Sequence, residues 1–180
     1  MKSMEKGTGT KVTRLLLTRH GQTVGNVQQV LQGQMQGELT EEGRRQARQV
    51  RDRLCHEPID AFFSSDLNRS IDTCAIIAEP HGKPVLTTPL LRERDWGDFT
   101  GELIPELKDK VWPDNVETIE QMKTRAMEFV RLVRERYPGG TVLAVGHGII
   151  NKALQAAFYG KPMHEVLKMT NAEVREILLN

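Results

Sequence analysis

The sequence has few of the residues that usually mark a secreted or metal-binding chain. Only two of its 180 residues are cysteines, Cys55 and Cys74, and their spacing is not that of a metal site. Two cysteines are too few for a disulfide framework, so we expect two reduced thiols. An apolar run of about 18 residues, which a membrane span needs, is missing. So is the apolar core of a signal peptide, and we therefore expect a cytoplasmic protein without a membrane partner.

An excess of charge of one sign is also missing. The chain has 25 Lys and Arg against 24 Asp and Glu, which gives a formal net charge of +1. Proteins that bind nucleic acids or membrane surfaces usually carry a basic excess, so we predict neither partner. The sequence leaves open whether the chain forms a homodimer.

The length of the chain predicts one domain. A chain of 180 residues buries a substantial core but is too short for two large domains. Residues 1–11 are polar, include Gly7 and Gly9 and show no periodicity, so they are predicted to form a mobile tail. A single domain is therefore expected over residues 12–180.

Apolar runs and helical stripes alternate along this domain. Strands are predicted at residues 15–17, 59–63, 85–86, 141–145 and 174–179. Helices are predicted between them, and their apolar faces recur with the helical period at residues 43–54, 71–78, 119–133 and 153–158. We expect Ser64, Ser65 or Asp66 to cap the second of these helices. The alternation predicts the α/β class, with a mainly parallel sheet and helices on both of its faces.

Four charged or titratable residues follow the predicted strands. Arg19 and His20 end the first strand, Arg69 lies in the first turn of the helix after the second strand, and His147 follows the strand at residues 141–145. Carboxyl ends of parallel strands meet at one edge of a sheet, where ligands bind. Two arginines and two imidazoles there offer hydrogen bonds to the oxygens of a phosphoryl group, and a histidine is also a nucleophile. Glu93, in a charged loop, is a candidate proton donor.

The motifs in this order resemble those of the histidine phosphatase superfamily, the phosphoglycerate-mutase-like proteins. The resemblance covers residues 12–178 and rests on Arg19-His20-Gly21-Gln22-Thr23 with Asn26, on Ser64 to Arg69, on Leu91-Arg92-Glu93 with Gly97 and Gly101, and on Val145-Gly146-His147-Gly148. It implies a three-layer α/β/α sandwich and a phosphatase that needs no metal or other cofactor. The expected substrate is a small phosphorylated metabolite.

The resemblance also implies roles for individual residues. His20 matches the nucleophile that becomes phosphorylated, and Glu93 matches the proton donor. Arg19, Arg69 and His147 match the pocket that holds the phosphate. Five further residues match positions that line the phosphate or substrate site: Thr23, Asn26, Gln32, Gly33 and Gly148.

The sequence departs from the family pattern at two places that flank the expected substrate entrance. Thr100 stands where the smaller phosphatases usually carry glutamate, and Gln36-Gly37-Glu38 replaces an aspartate, a small residue and a proline. The two departures therefore concern the choice of substrate rather than the chemistry. Two other classes stay open, a zinc site built from His20, His147 and Glu93 and a non-catalytic phosphate-binding domain on the same fold.

The family includes both phosphatases and mutases, and the sequence favours a phosphatase. The mutases carry a longer segment between the proton donor and the second histidine, with extra basic residues that hold the substrate carboxylate. Here Glu93 and His147 are 54 positions apart. No arginine lies between Arg94 and Arg125, where the only basic residues are Lys108, Lys110 and Lys123. A cofactor-dependent phosphoglycerate mutase remains the alternative.

Overall fold

A computed structural model describes residues 9–180 as a five-stranded sheet with helices on both faces. Most of the predicted mobile tail, residues 1–8, lies outside the described residues. The strands are β1 (Thr13–Arg19), β2 (Ala61–Ser65), β3 (Val85–Thr88), β4 (Thr141–Gly146) and β5 (Val174–Leu179). The helices are α1 (Val24–Val27), α2 (Glu41–Leu54), α3 (Asn68–Ala78), α4 (Ile119–Arg136) and α5 (Gly148–Tyr159).

The sheet is mainly parallel, as the alternation of strands and helices predicts. Its strand order is β3-β2-β4-β1-β5. The pairs β3-β2, β2-β4 and β4-β1 are parallel, and β5 runs antiparallel to β1 along one edge. The chain moves outward from β1 to β2 and β3 and then returns to place β4 between β1 and β2. The carboxyl ends of β1 and β4 therefore form a topological switch point, the usual place for a ligand in such sheets.

Alternate residues of the strands face the two helical layers. Leu15 and Leu17 of β1 pack with the apolar face of α4, which includes Phe129, and with α5. Leu16 faces the opposite side, where it packs with Val50 of α2 and with α3. Because both faces of the sheet are covered, the central strands contain continuous apolar runs, such as Leu15 to Leu17 and Val142 to Val145. The three-layer α/β/α sandwich is therefore confirmed.

Local sequence signals account for most of the helix ends. Thr40 caps α2 through a hydrogen bond from the Gly43 N–H, and acidic residues follow in the first turn. Thr118 and Gln121 form the predicted capping box of α4. The two cysteines are free thiols, as expected. Within residues 9–180 no helix is long and apolar enough to cross a membrane.

The predicted cap of α3 is wrong. Ser64 and Ser65 belong to β2 rather than to the turn that follows it, and Asp66 is paired with Arg92. No side chain next to the helix caps it, and the Asn68 N–H donates instead to Oε1 of Gln36, 32 residues earlier in the chain, at 2.8 Å. A partner so distant in sequence gives no local signal. This contact joins the loop of residues 21–38, called here the first loop, to the helix that carries Arg69.

Candidate active site

His20 follows the last residue of β1 and is almost completely buried. Its Nδ1 lies 2.7 Å from the carbonyl oxygen of Gly21. A carbonyl can only accept a hydrogen bond, so Nδ1 carries the proton and Nε2 keeps its lone pair. The imidazole is therefore held in the tautomer that a nucleophile at Nε2 requires.

The surroundings of His20 also keep its ring neutral. Burial, together with the positive charges of Arg69 and Arg19, lowers the pKa of His20 to about 3, although the hydrogen bond to Gly21 acts in the opposite direction. The sequence alone suggested only the ordinary histidine pKa near 6.5, at which a neutral ring needs little tuning. In the structure the ring keeps its single proton on Nδ1 and stays uncharged throughout the neutral and mildly acidic range.

Arg69, which is buried, and Arg19, which is half-buried, place two guanidinium groups beside this ring. Nη1 of Arg19 donates to the Met169 carbonyl at 2.6 Å. The Nη atoms of Arg69 donate to the carbonyls of Met35 and Gly33 at 2.6 and 2.7 Å. Nε of each arginine is buried and has no partner among the described residues. Burial lowers both pKa values, that of Arg69 to about 10, so both groups remain charged at neutral pH.

His147 lies beside His20 because β1 and β4 are neighbours in register, with Arg19 opposite Gly146. The two rings meet edge to face with centroids 5.0 Å apart. Nε2 of His147 lies 2.7 Å from Oγ of Ser65, which also accepts a hydrogen bond from the Leu67 N–H. The Ser65 hydroxyl can thus donate to Nε2 and leave the proton of His147 on Nδ1. That Nδ1 is buried and without a partner among the described residues.

The pKa of His147 is lowered well below its ordinary value. Burial is the largest cause, and the neighbouring His20, Arg69 and Arg19 add to it. A neutral ring whose proton is on Nδ1 is a hydrogen-bond donor that carries no charge. His147 is therefore suited to hold a phosphoryl oxygen rather than to neutralise it.

Glu93 approaches the site from a different direction. Its carboxylate accepts hydrogen bonds from the Ile149 N–H at 3.0 and 3.2 Å and from the Ile150 N–H at 3.0 Å, at the amino end of α5. Oε1 also accepts from the Arg94 N–H at 2.9 Å. The carboxyl group is thus held in place by backbone N–H groups at the start of α5 and in its own loop.

The predicted residues converge on one cavity of about 130 Å³. Those that line it are Arg19, His20, Asn26, Gln32, Gly33, Arg69, Glu93 and Gly148. His147 and Thr23 do not line it. The His147 ring packs edge to face with the His20 ring and keeps a buried Nδ1 without a partner among the described residues, whereas Thr23 caps α1 and is completely buried. The Thr23 hydroxyl takes part in hydrogen bonds within the first loop, and its contact with the substrate stays a prediction.

Gln32 shows how the first loop forms this wall. Its Nε2 donates to Oγ1 of Thr23 at 2.9 Å, and its side chain lies between two glycines. A Cβ atom on Gly25 would lie 2.4 Å from Cδ of Gln32, and one on Gly37 would lie 2.5 Å from its Oε1. Only glycine leaves room for the amide at these two positions. Gly37, part of the departure from the family pattern, therefore supports a residue of the cavity wall.

The lining residues that do not belong to the predicted site are mainly apolar. Residues 29–31 pair with residues 101–104 through backbone hydrogen bonds of 2.8 Å, and this pairing forms a wall. Among the described residues that line the cavity, Lys168 is the only basic one besides Arg19, His20 and Arg69. The other lining residues outside the predicted site are Val30, Leu31, Trp96, Ile104 and Ile149. Thr100, the other departure, lies outside the lining.

Several functional residues have no signal in the sequence. Lys168 and Trp96 belong to segments without periodicity, and the pairing of the first loop with residues 101–104 joins segments 70 residues apart. Ser65 is different, because it ends β2 beside β4 and belongs to the Ser64 to Arg69 motif of the family resemblance. Its contact with His147 follows once the strand order is known.

The arrangement can transfer a phosphoryl group. Two cations and a neutral donor lie near a neutral nucleophile, and the Glu93 carboxyl group lines the same cavity, where it could protonate a leaving oxygen. Among residues 9–180 no group of three or more His, Cys, Asp or Glu side chains is placed to hold a metal ion, so His20, His147 and Glu93 do not form the zinc site considered above.

Comparisons with known proteins agree with this geometry. A family model described as the histidine phosphatase superfamily (branch 1) matches residues 15–180. The uncharacterized phosphatase PhoE of Bacillus subtilis is 34% identical over 89% of this chain and 86% of its own. A metal-independent phosphoserine phosphatase of Arabidopsis thaliana is 33% identical over 84% of this chain and 73% of its own.

Other relatives and a solved structure are also similar to this chain. Probable phosphoglycerate mutases GpmB of several bacteria are 29–30% identical to this chain. The solved structure of Bacillus stearothermophilus YhfR superposes with a TM-score of 0.86 at 31% identity and covers 91% of this chain and 90% of its own.

Proposed function

The chain belongs to the histidine phosphatase superfamily (branch 1) and is a phosphatase, and we propose that it hydrolyses a small phosphorylated metabolite through a phosphohistidine at His20. One observation carries the proposal. His20 is neutral, holds its proton on Nδ1 and lines the same cavity as Arg19 and Arg69, so that its free Nε2 is available to a phosphoryl group held there.

In the first step, Nε2 of His20 attacks the phosphorus and the bond from phosphorus to the alcohol oxygen breaks. Arg19, Arg69 and Nδ1–H of His147 hold the three non-bridging oxygens, whose charge is spread in the transition state. Glu93, carrying a proton, gives it to the departing alcohol oxygen. The products are a free alcohol, a phosphohistidine and a Glu93 carboxylate.

In the second step, water attacks the phosphorus and the bond from phosphorus to Nε2 breaks. The Glu93 carboxylate takes a proton from this water, and inorganic phosphate leaves with the new oxygen. His20 returns to its neutral form with the proton still on Nδ1. The same carboxyl group thus serves as acid in the first step and as base in the second, and the enzyme ends as it began.

A phosphatase is favoured over a mutase by the cations around the cavity. A mutase must retain its phosphorylated intermediate and hold the acidic substrate while it reorients. Apart from Arg19, His20 and Arg69, the described residues that line the cavity include one basic residue, Lys168, and no further arginine. Water is therefore the expected acceptor of the phosphoryl group. The test is 3-phosphoglycerate with a trace of bisphosphate primer, and rapid isomerisation with little free phosphate would establish the mutase instead.

The proposed intermediate is tested by trapping. The protein is mixed briefly with a ³²P-labelled phosphomonoester and quenched in base, and protein-bound acid-labile phosphate is counted. We expect label on the wild type and on His164→Ala, which changes an exposed histidine, and none on His20→Ala. Label of equal amount on His20→Ala would refute the proposal. Activity that persists in EDTA is expected in the same preparation, and its loss would favour a metal site.

The substrate is found by a screen of phosphate release over a panel of phosphorylated metabolites. The cavity of about 130 Å³ fits a small phosphomonoester, so we expect the best substrates to be small molecules rather than phosphoproteins. The absence of turnover on every member, including 4-nitrophenyl phosphate, would support the non-catalytic binding domain.

A further inference from the structure

A half-buried ion pair outside the cavity holds the segment that carries Glu93. Nε and Nη2 of Arg125 donate to the two carboxylate oxygens of Glu117 at 2.6 and 2.9 Å. The two side chains are only 17% and 13% exposed, and neither residue lines the cavity. Removing two charges from water is costly unless their other hydrogen-bonding groups are also satisfied. The groups that satisfy them show what the pair does.

Arg125 uses its remaining donors on three backbone carbonyls near Glu93. Nη1 donates to the carbonyls of Leu90 at 2.9 Å and Arg92 at 2.7 Å, and Nη2 donates to the carbonyl of Glu93 at 3.2 Å. One guanidinium therefore fixes the backbone on both sides of the Glu93 Cα atom.

Glu117 holds the loop from the other side. Its Oε2 accepts from the Asp95 N–H at 3.0 Å, and its backbone carbonyl accepts from Nε of Arg94 at 2.7 Å. Its own N–H donates to the Asp95 carbonyl at 2.8 Å. Burial alone would raise the pKa of Glu117, but the hydrogen bonds from Arg125 and Asp95 outweigh it and hold the pKa below its ordinary value. Glu117 therefore stays ionised and paired.

The loop needs such contacts because it has no regular structure. Residues 92–96 belong to neither a helix nor a strand, so their backbone groups lack the partners that a ladder provides. By contrast, Arg125 lies on α4 between Met122 and Ala126, both of which are completely buried in the core. The pair thus transfers the fixed position of a core helix to an irregular segment.

We propose that Arg125 and Glu117 are positioning residues for proton transfer, which place the Glu93 carboxyl group at the leaving oxygen. The proposal rests on the role proposed above for Glu93. General acid catalysis depends on hydrogen-bond reach to the leaving atom, so a small displacement of the loop lowers the rate where protonation matters. The effect of losing the pair should therefore depend on the leaving group.

The experiment compares two substrates that differ in their need for protonation. 4-Nitrophenol leaves readily without a proton, whereas the alkoxide of butyl phosphate does not. We expect Arg125→Met to lower kcat/KM, which reports only the steps up to formation of the phosphohistidine, at least about tenfold more on butyl phosphate than on 4-nitrophenyl phosphate, since the contribution of general acid catalysis is about 10²- to 10⁴-fold. Glu93→Gln should show the same substrate dependence, and the double variant should be little worse than Glu93→Gln alone on butyl phosphate.

Two further variants separate positioning from general stabilisation. Arg92→Met removes an ion pair with Asp66 from the same loop but leaves the Glu93 backbone contacts intact, so it should keep the wild-type ratio of the two rates. Arg125→Lys keeps the charge but cannot form the fork, so it should not restore the ratio. Glu117→Gln replaces Arg125→Met if the latter does not fold, as judged by circular dichroism.

Each outcome has a separate meaning. Equal losses of Arg125→Met on both substrates, or full additivity with Glu93→Gln, would overturn the positioning role. Equal losses of Glu93→Gln on both substrates would instead remove Glu93 as proton donor. Absence of turnover by the wild type would contradict the proposed function itself.

Discussion

The two sides of the cavity are built in different ways. The phosphate side, made of Arg19, His20, Arg69 and His147, stands on the ends of strands and at the start of a helix, where the pairing of the sheet fixes each backbone. The donor side, made of Glu93 in residues 92–96, is irregular and is held by side chains from elsewhere in the chain. One side is thus positioned by secondary structure and the other by individual contacts.

The difference separates two kinds of catalytic demand. Charge on the three phosphoryl oxygens develops with every substrate, so the groups that hold them serve all substrates alike. The need for a proton varies with the leaving group. We therefore expect changes on the phosphate side to lower the rates of all substrates by similar factors, whereas changes on the donor side discriminate among them.

Arg69→Gln should have the largest effect of the variants on the phosphate side. It removes a buried cation that also holds the carbonyls of Gly33 and Met35. We expect kcat/KM to fall by about 10²- to 10³-fold, and by the same factor on 4-nitrophenyl and butyl phosphate. Steady-state kinetics on both substrates measure this, with the exposed Arg53→Gln as the control. A loss confined to butyl phosphate would contradict the distinction between the two sides.

These differences in construction explain what the sequence could predict. The meeting of His20 and His147 follows from two strand ends and a parallel sheet, and the approach of Arg69 follows from its place in the first turn of α3. The capping of α3 by Gln36 and the contacts of Arg125 could not be predicted, because they join segments about 30 residues apart without any periodic signal. The hydrogen bonds of the Thr23 hydroxyl within the first loop could not be predicted either, because the motif gives its position but not the direction of its hydroxyl.

Ser65→Ala tests a residue that acts on the phosphate side through its hydrogen bond to His147. It leaves Nε2 of His147 without its partner, so that neither the tautomer nor the orientation of the ring is fixed. An unmade buried hydrogen bond costs about 1–3 kcal/mol, so we expect a loss of about tenfold in kcat/KM on both substrates. Ser64→Ala, its buried neighbour with no contact to His147, is the matched control. A strong preference between the substrates would place Ser65 on the donor side.

The neutral imidazoles of the phosphate side should make the protein sensitive to acid. The unfolded histidine binds a proton below about pH 6.5, whereas folded His20 does so only at about 3. As the pH falls from 6.5 toward 3, each such imidazole therefore lowers the free energy of unfolding by about 1.4 kcal/mol per pH unit.

His20→Asn should remove one imidazole's share of this slope. The measurement is urea unfolding between pH 7 and pH 5, with the exposed His164→Asn as the control. Above pH 6.5 the substitution should leave the pH dependence unchanged. An unchanged slope below pH 6.5 would mean that His20 is not held neutral in the folded protein.

Gln36→Ala should have the smallest effect, and it acts on stability. It removes the acceptor of the Asn68 N–H at the start of the helix that carries Arg69. Loss of a helix cap costs about 1 kcal/mol, which lowers Tm by about 2–4 °C for a chain of this size. Gln28→Ala, an exposed change in the same loop, is the control for thermal unfolding. No change in Tm would show that water replaces the cap.

The position of β1 has a consequence for synthesis on the ribosome. β1 is made first but pairs only with β4 and β5, which are formed from residues 141–179. Leu15 to Leu17 therefore remain without strand partners until more than a hundred further residues have been translated. Pairing over such separations is slow, and unpaired apolar strands are prone to aggregate. We expect the nascent chain to depend on chaperones for this interval, and the nucleophile to be among the first residues of the site translated but among the last to reach its working geometry.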